Sequence, residues 1–191
     1  MKKYFFVLLI VLGGSFSAFS QEINDSTATS RVYAIEKTSL GIGAGFNYGG
    51  LFGANILFYP QQNIGLFAGV GYALADVGYN VGAKIRVINK NHFTKVYPFL
   101  TGMYGYNTSI TVSGKEEYNK LFYGATIGGG IDLKFAPSNK GYFTFALYVP
   151  LRGTEVNDYI NHLENFHGVV FSQNLLPIAI SVGYQFIVGN F

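Results

Sequence analysis

From Leu176 to Phe186 the chain alternates residue by residue. Leu176, Ile178, Ile180, Val182, Tyr184 and Phe186 take the even positions, and Pro177, Ala179, Ser181, Gly183 and Gln185 the odd ones. A β-strand turns successive side chains to opposite faces, so this segment has one bulky apolar face and one small, weakly polar face. The same period recurs upstream. Leu40, Ile42, Ala44, Phe46 and Tyr48 oppose Ser39, Gly41, Gly43, Gly45 and Asn47; Tyr79, Val81, Ala83, Ile85 and Val87 oppose Asn80, Gly82, Lys84 and Arg86. Tyr123, Ala125, Ile127, Ile131, Leu133 and Phe135 oppose Gly124, Thr126, Gly128, Gly130, Asp132 and Lys134, while Phe143, Phe145, Leu147, Val149 and Leu151 oppose Tyr142, Thr144, Ala146, Tyr148 and Pro150. Eight strands are expected, at about 38–48, 51–59, 64–75, 79–88, 96–107, 121–135, 142–152 and 175–188. The fifth is apolar on both faces and its orientation stays open.

Which face looks outward decides the class of protein. In a water-soluble barrel the small face would be the exterior, made of residues such as Gly41, Gly43, Gly45, Gly128, Gly130 and Gly183 and almost without charge. Such a surface neither solubilises a protein nor discourages aggregation. It would also force about 25–30 large apolar side chains into an eight-stranded interior that ordinary side chains already fill. With the faces reversed, Ile, Val, Leu and Phe meet lipid, and Gly, Ser, Thr, Asn and a few charges fill a narrow lumen.

Composition agrees with the second arrangement. Charged residues are 12% of the chain, about half the globular norm, while aromatics are 17% and Gly numbers 25. After the N-terminal segment no uninterrupted apolar run approaches the ~20 residues of a membrane-spanning helix, and a closed sheet is the other structure that satisfies its backbone within a bilayer. Cys is absent, which excludes disulfides and thiolate chemistry.

Met1-Lys2-Lys3, the apolar stretch Tyr4–Leu12 and Ala18-Phe19-Ser20 read as a secretory signal cleaved after residue 20. Cleavage would leave 171 residues carrying 11 Lys+Arg against 10 Asp+Glu, a balance that gives no reason to expect nucleic acid as a partner. The Ser-, Thr- and Asn-rich stretch that follows is expected to form a flexible arm over 21–37, ahead of a barrel over 38–191. Connections at 60–63, 89–95 and 136–141 carry turn residues, whereas those at 108–120 and 153–174 are long. A barrel with both termini in the periplasm places its longer loops on the outer side. Gly53-Ala-Asn-Ile, Gly82-Ala-Lys-Ile and Gly124-Ala-Thr-Ile recur in alternate strands, a weak repeat consistent with hairpin-wise construction.

The N-terminal segment Met1–Ser20, the alternating strands and the aromatic finish Tyr184-Gln185-Phe186 with terminal Phe191 together resemble the small outer-membrane β-barrel superfamily, the eight-stranded kind typified by OmpX and the OmpA transmembrane domain. The resemblance is one of pattern over nearly the whole chain. It implies an all-β, eight-stranded antiparallel up-and-down transmembrane barrel in the outer membrane of a diderm bacterium. Its surroundings would be the lipid bilayer and lipopolysaccharide, and barrel-assembly machinery would read the aromatic final strand during insertion. Phe191 is out of phase with Ile180, Val182, Tyr184 and Phe186, so either Gly189-Asn190 bulges or Phe186 is the effective end. Aromatics near strand ends (Tyr48, Tyr59, Tyr72, Tyr79, Tyr97, Phe122, Tyr123, Phe135, Tyr142 and Tyr184) would form interface girdles.

The strand charges are the first candidate site. Lys84, Arg86, Asp132 and Lys134 should share a depth in the lumen, with an Arg86–Asp132 contact and with Lys37 and Gln185 as neighbours. They form either a structural polar plug, because buried charges need partners, or a selectivity constriction, because cations outnumber Asp132. The second is the 153–174 loop. Val156, Tyr159, Ile160, Leu163 and Phe166 recur at helical spacing, with Asn157 as a candidate cap and Gly168 as a candidate end of a short helix. This short helix is either a lid over the barrel mouth or an extracellular binding surface presented by Tyr159, Ile160, Leu163 and Phe166. His92, His162 and His167 read as solvated loop residues; no catalytic triad, metal site or cofactor is assigned. Pieces such as Gly41-Ile-Gly43-Ala-Gly45 lack the Gly-Lys-Ser/Thr of a phosphate loop and belong to a strand. The leading expectation is a monomeric, non-catalytic surface or structural protein with an unidentified extracellular partner. A narrow channel for ions or small solutes and an outer-membrane lipid-modifying enzyme are the alternatives.

Overall fold

The computed structural model describes residues 36–87, 96–112, 114–134, 140–167, 169, 171 and 175–190. The expected signal, the arm up to residue 35, and His92, Phe135, Gly168 and Phe191 lie outside them. Eight strands, β1 (Glu36–Gly45), β2 (Gly50–Gln61), β3 (Ile64–Tyr72), β4 (Val77–Arg86), β5 (Val96–Ile110), β6 (Lys120–Leu133), β7 (Gly141–Pro150) and β8 (Ala179–Asn190), pair antiparallel in chain order. β8 closes on β1, giving a barrel with no sheet edge around its wall. This is the all-β, eight-stranded antiparallel up-and-down barrel read from the alternation. One rim carries the start of β1 and the end of β8; the opposite rim carries helix α1 (Thr154–His167), in the connection from β7 to β8.

The large apolar side chains cover the exterior. Leu40, Ile42, Leu66, Val81, Ile85, Leu100, Ile127, Leu147 and Ile180 are all exposed. β5 resolves its ambiguity by turning Leu100 and Tyr104 outward and Phe99, Thr101 and Met103 inward.

The interior departs from the expectation of a lumen filled by small residues. Leu57, Tyr59, Phe67, Phe99, Met103 and Tyr148 are buried in it. Each ring has a glycine to lie on. In the strand register Phe67 faces Gly82, Phe99 faces Gly130 and Tyr148 faces Gly128. A Cβ built on those three glycines would stand 2.5–2.8 Å from the opposing ring. Glycine removes the volume that the ring across from it occupies, and so the narrow interior is packed tightly. For the same reason the girdle expectation fails at Tyr48, Tyr59 and Tyr142, which are fully buried in the lumen, and at Phe122, which is buried beneath α1. Tyr72 and Tyr79 do face outward.

Among the segment boundaries that differ from the alternation, three shape the lumen and the closing seam. β1 stops at Gly45, and Phe46–Tyr48 form a single 3-10 turn folded into the barrel, with all three residues buried. Gly45 (φ 105°) and Gly49 (φ 75°) make both reversals in backbone conformations that other residues rarely adopt. β1 begins at Glu36, so Glu36 and Lys37 belong to the sheet rather than to an arm reaching residue 37. β8 begins at Ala179, four residues later than expected. The pairing of β1 with β8 slips twice near the terminal rim, between Glu36 and Thr38 and between Thr38 and Ser39, where Gly189 and Ile187 face consecutive β1 residues. A bulge does occur at the end of the last strand, centred on Val188, and β8 continues beyond Phe186.

Candidate functional site

Two regions concentrate polar chemistry. At the terminal rim, β4 projects Lys84 and Arg86 inward, and β6, two strands along the wall, projects Asp132 inward. The Arg86 guanidinium donates from Nε (3.0 Å) and Nη2 (2.6 Å) to Asp132 Oδ2. Lys84 Nζ donates to Asp132 Oδ1 at 2.8 Å, and Thr144 Oγ1 donates to the same oxygen at 2.7 Å. Arg86 and Asp132 therefore meet as parity and depth required.

Sequence reasoning missed a second carboxylate. Glu36 Oε1 accepts from Arg86 Nη2 at 3.0 Å and from the Tyr142 hydroxyl at 2.6 Å, and Lys134 Nζ stands 3.9 Å from Glu36 Oε2. The bulge at the start of β1 is the cause. Regular alternation with Ser39 would turn Lys37 inward; the slip turns Glu36 inward and leaves Lys37 exposed. Aromatic faces complete the enclosure: Lys84 Nζ lies 3.8 Å from the Phe99 ring centroid, and the Arg86 guanidinium 4.6 Å from that of Tyr59. Three cations and two carboxylates are thus buried together, each in contact with opposite charge.

Above this cluster the inward turn occupies the middle of the lumen. Asn55 Nδ2 donates to the Asn47 carbonyl at 3.2 Å, Asn80 Nδ2 donates to the Phe46 carbonyl, and the Tyr148 hydroxyl donates to Asn47 Oδ1. Gln185 belongs to this layer rather than to the charge cluster; its Nε2 donates to Asn55 Oδ1 at 2.9 Å and its Oε1 accepts from Ser39 at 3.3 Å. The void among Asn55, Lys84, Phe99, Thr144 and Gln185 measures about 10 Å³, at most the room of one water. Turn and charge cluster close the lumen in series.

At the helix rim, β5 and β6 run past their neighbours. β4 pairs with β5 only as far as Gly105, and β7 with β6 only from Thr126 onward, while β5 and β6 stay paired to Ile110 and Lys120. Helix α1 packs on this projecting hairpin. It spans Thr154–His167, so Asn157 lies inside it and does not cap it. Val156 and Leu163 bury against Ile110 and Phe122, with Tyr159 and Ile160 packed alongside. The Tyr159 hydroxyl donates to the Tyr118 carbonyl at 3.0 Å. Of the four residues expected to present a binding surface, Leu163 is 0% exposed and Tyr159 and Ile160 are half-buried, because helical spacing aims all three at the hairpin; Phe166 alone is open, at 75%. Arg152 anchors the start of the connection, donating from Nε to Thr108 Oγ1 (2.9 Å) and from Nη1 to the Leu176 carbonyl (2.7 Å). Burial there lowers its guanidinium below the usual range, and the Tyr106 phenol opposes that shift.

The rings of His162 and His167 come within 5.3 Å of each other, closer than their five-residue separation suggests, and His167 Nδ1 lies 3.1 Å from the Tyr118 hydroxyl. Among the described residues no group of three or more His, Asp or Glu side chains is placed to hold a metal ion. Comparison with protein-family models, curated proteins and solved structures finds no match to this chain.

Proposed function

We propose that the protein is an integral outer-membrane barrel of a diderm bacterium that acts without catalysis, as a structural or surface-interaction protein displaying its projecting hairpin and helix α1 to the outside. The observation that carries this reading is the outward belt of large apolar side chains around a closed sheet. A contiguous apolar exterior of this extent is foreign to soluble monomers. Ten-residue strands such as β1, β4 and β7, rising ~3.3 Å per residue and tilted ~45°, span about 23 Å, close to the ~25 Å apolar band of such barrels. The terminal rim then faces the periplasm, and the monomer meets phospholipid and lipopolysaccharide along its wall after insertion by barrel-assembly machinery. The resemblance in pattern to small eight-stranded outer-membrane barrels supports the same assignment.

A packed lumen weighs against the channel alternative, and the burial of α1's apolar stripe leaves recognition to the hairpin tip and the open face of the helix. Fractionation of cells expressing the full chain tests the membrane assignment. The protein is expected in the outer-membrane fraction, resistant to carbonate extraction and dispersed as a monomer only in detergent. A monodisperse, detergent-free monomer in buffer would overturn it.

A further inference from the structure

Between α1 and the outer wall of the β5–β6 hairpin lies an open cavity of about 620 Å³, lined by Tyr104, Lys120, Tyr123, Glu155, Asp158 and His162 among others. Its charges are mixed and mutually unspent. Glu155 and Asp158 stand three apart on one face of the helix, with His162 a further turn along it. Lys120 rests over the Phe122 and Tyr159 rings, at 5.1 and 4.8 Å. Among the described residues no ion pair within 4 Å joins Lys120 to either carboxylate, although all three line the same cavity.

Two residues along β5 from Tyr104, which lines the cavity, the apolar wall has a recess. Gly102 faces outward with open space where a Cβ would stand. Ala83 pairs with it across β4–β5, and Ala125 pairs with Tyr104 across β5–β6. These small residues sit among exposed Leu100, Ile127 and Val81.

We infer that this cavity binds one membrane lipid whose head group carries both a phosphate and a primary ammonium, as phosphoethanolamine does. The inference rests on the membrane reading above. Lys120 is the point charge for the phosphate, and Glu155 and Asp158 accept hydrogen bonds from the ammonium. An acyl chain descends along Tyr104 into the recess at Gly102. A purely anionic head group would meet two carboxylates, and a quaternary ammonium has no N–H to donate to them. The ligand is a lipid rather than a free phosphate ester because Tyr104, which lines the cavity, stands on the exposed apolar wall two residues from Gly102.

Native mass spectrometry of the full chain in detergent, with equal amounts of phosphatidylethanolamine, phosphatidylglycerol and phosphatidylcholine, tests this. Phosphatidylethanolamine is expected to be retained about fivefold over each of the others, the discrimination of roughly 1 kcal/mol that an exposed charge pair supplies. Lys120→Ala should lower retention, and Glu155→Gln with Asp158→Asn should erase the preference over phosphatidylglycerol. Gly102→Leu, which touches no charged group, should lower retention by filling the recess. Equal retention of the three lipids by the wild-type chain, a preference unchanged in all three variants, or full displacement by water-soluble glycerophosphoethanolamine would each overturn the inference. A detergent-dependent monomer without lipid preference loses this site alone; a detergent-free monomer loses the membrane reading itself.

Discussion

Asp132 is the residue on which the terminal-rim cluster depends. It takes hydrogen bonds from Lys84, Arg86 and Thr144 while fully buried, so two cations lean on one carboxylate. Removing one partner of a buried ion pair costs about 3–5 kcal/mol, because the remaining charge keeps its desolvation penalty without its Coulombic return. Asp132→Ala is therefore expected to destabilise the barrel by about that amount in urea unfolding from lipid or detergent. Arg86→Met combined with Asp132→Leu should cost less than the sum of the two single changes, since neither leaves the other stranded. Fully additive costs would show that the pair is not coupled. Arg86 and Asp132 could be paired on paper because each keeps the parity of its own strand. Glu36 could not, since a slip in one register step exchanges which neighbour faces inward, and the alternation carries no mark of the slip in β1.

At the scale of elements, the first hairpin supplies its own plug. A strand that continued through Phe46 and Tyr48 would put both on the lipid side; the reversals at Gly45 and Gly49 put them inside instead. The turn is seated against bare backbone. A Cβ on Gly53 would collide with the Tyr48 and Val70 carbonyl oxygens and lie 2.7 Å from the Gly71 Cα. Gly53→Ala should therefore lose about 1–3 kcal/mol, the range for overpacking a tight site. Gly102→Ala, with nothing within 4 Å of its added carbon, should stay within about 0.5 kcal/mol of the parent. Equal effects of the two substitutions in parallel unfolding experiments would refute the seating of the turn. The helix, by contrast, was legible: Val156, Tyr159, Ile160 and Leu163 at i, i+3, i+4 and i+7 mark a buried stripe wherever the helix lies. What they pack against was not legible, because the projecting β5–β6 hairpin exists only once the lengths of neighbouring strands are compared.

At the scale of the whole barrel, the described residues form a closed wall with two obstructions in series, the inward turn and the charge cluster. Reconstituted in planar bilayers, the wild-type protein is expected to show no conductance steps. Sustained anion-selective steps abolished by Arg86→Ala would instead establish the selectivity reading of Lys84, Arg86, Asp132 and Lys134. The period-two pattern determined the strand number and, once side-chain volumes were weighed, the apolar exterior, because alternation assigns most strand side chains to a face without knowledge of their partners. Only the tertiary structure decided what fills the interior. A glycine shows an absence of volume, and which ring lies over it depends on the register between paired strands, as with Phe99 over Gly130 and Tyr148 over Gly128. Bulges and inward turns shift that register by single residues, below the resolution of any periodicity.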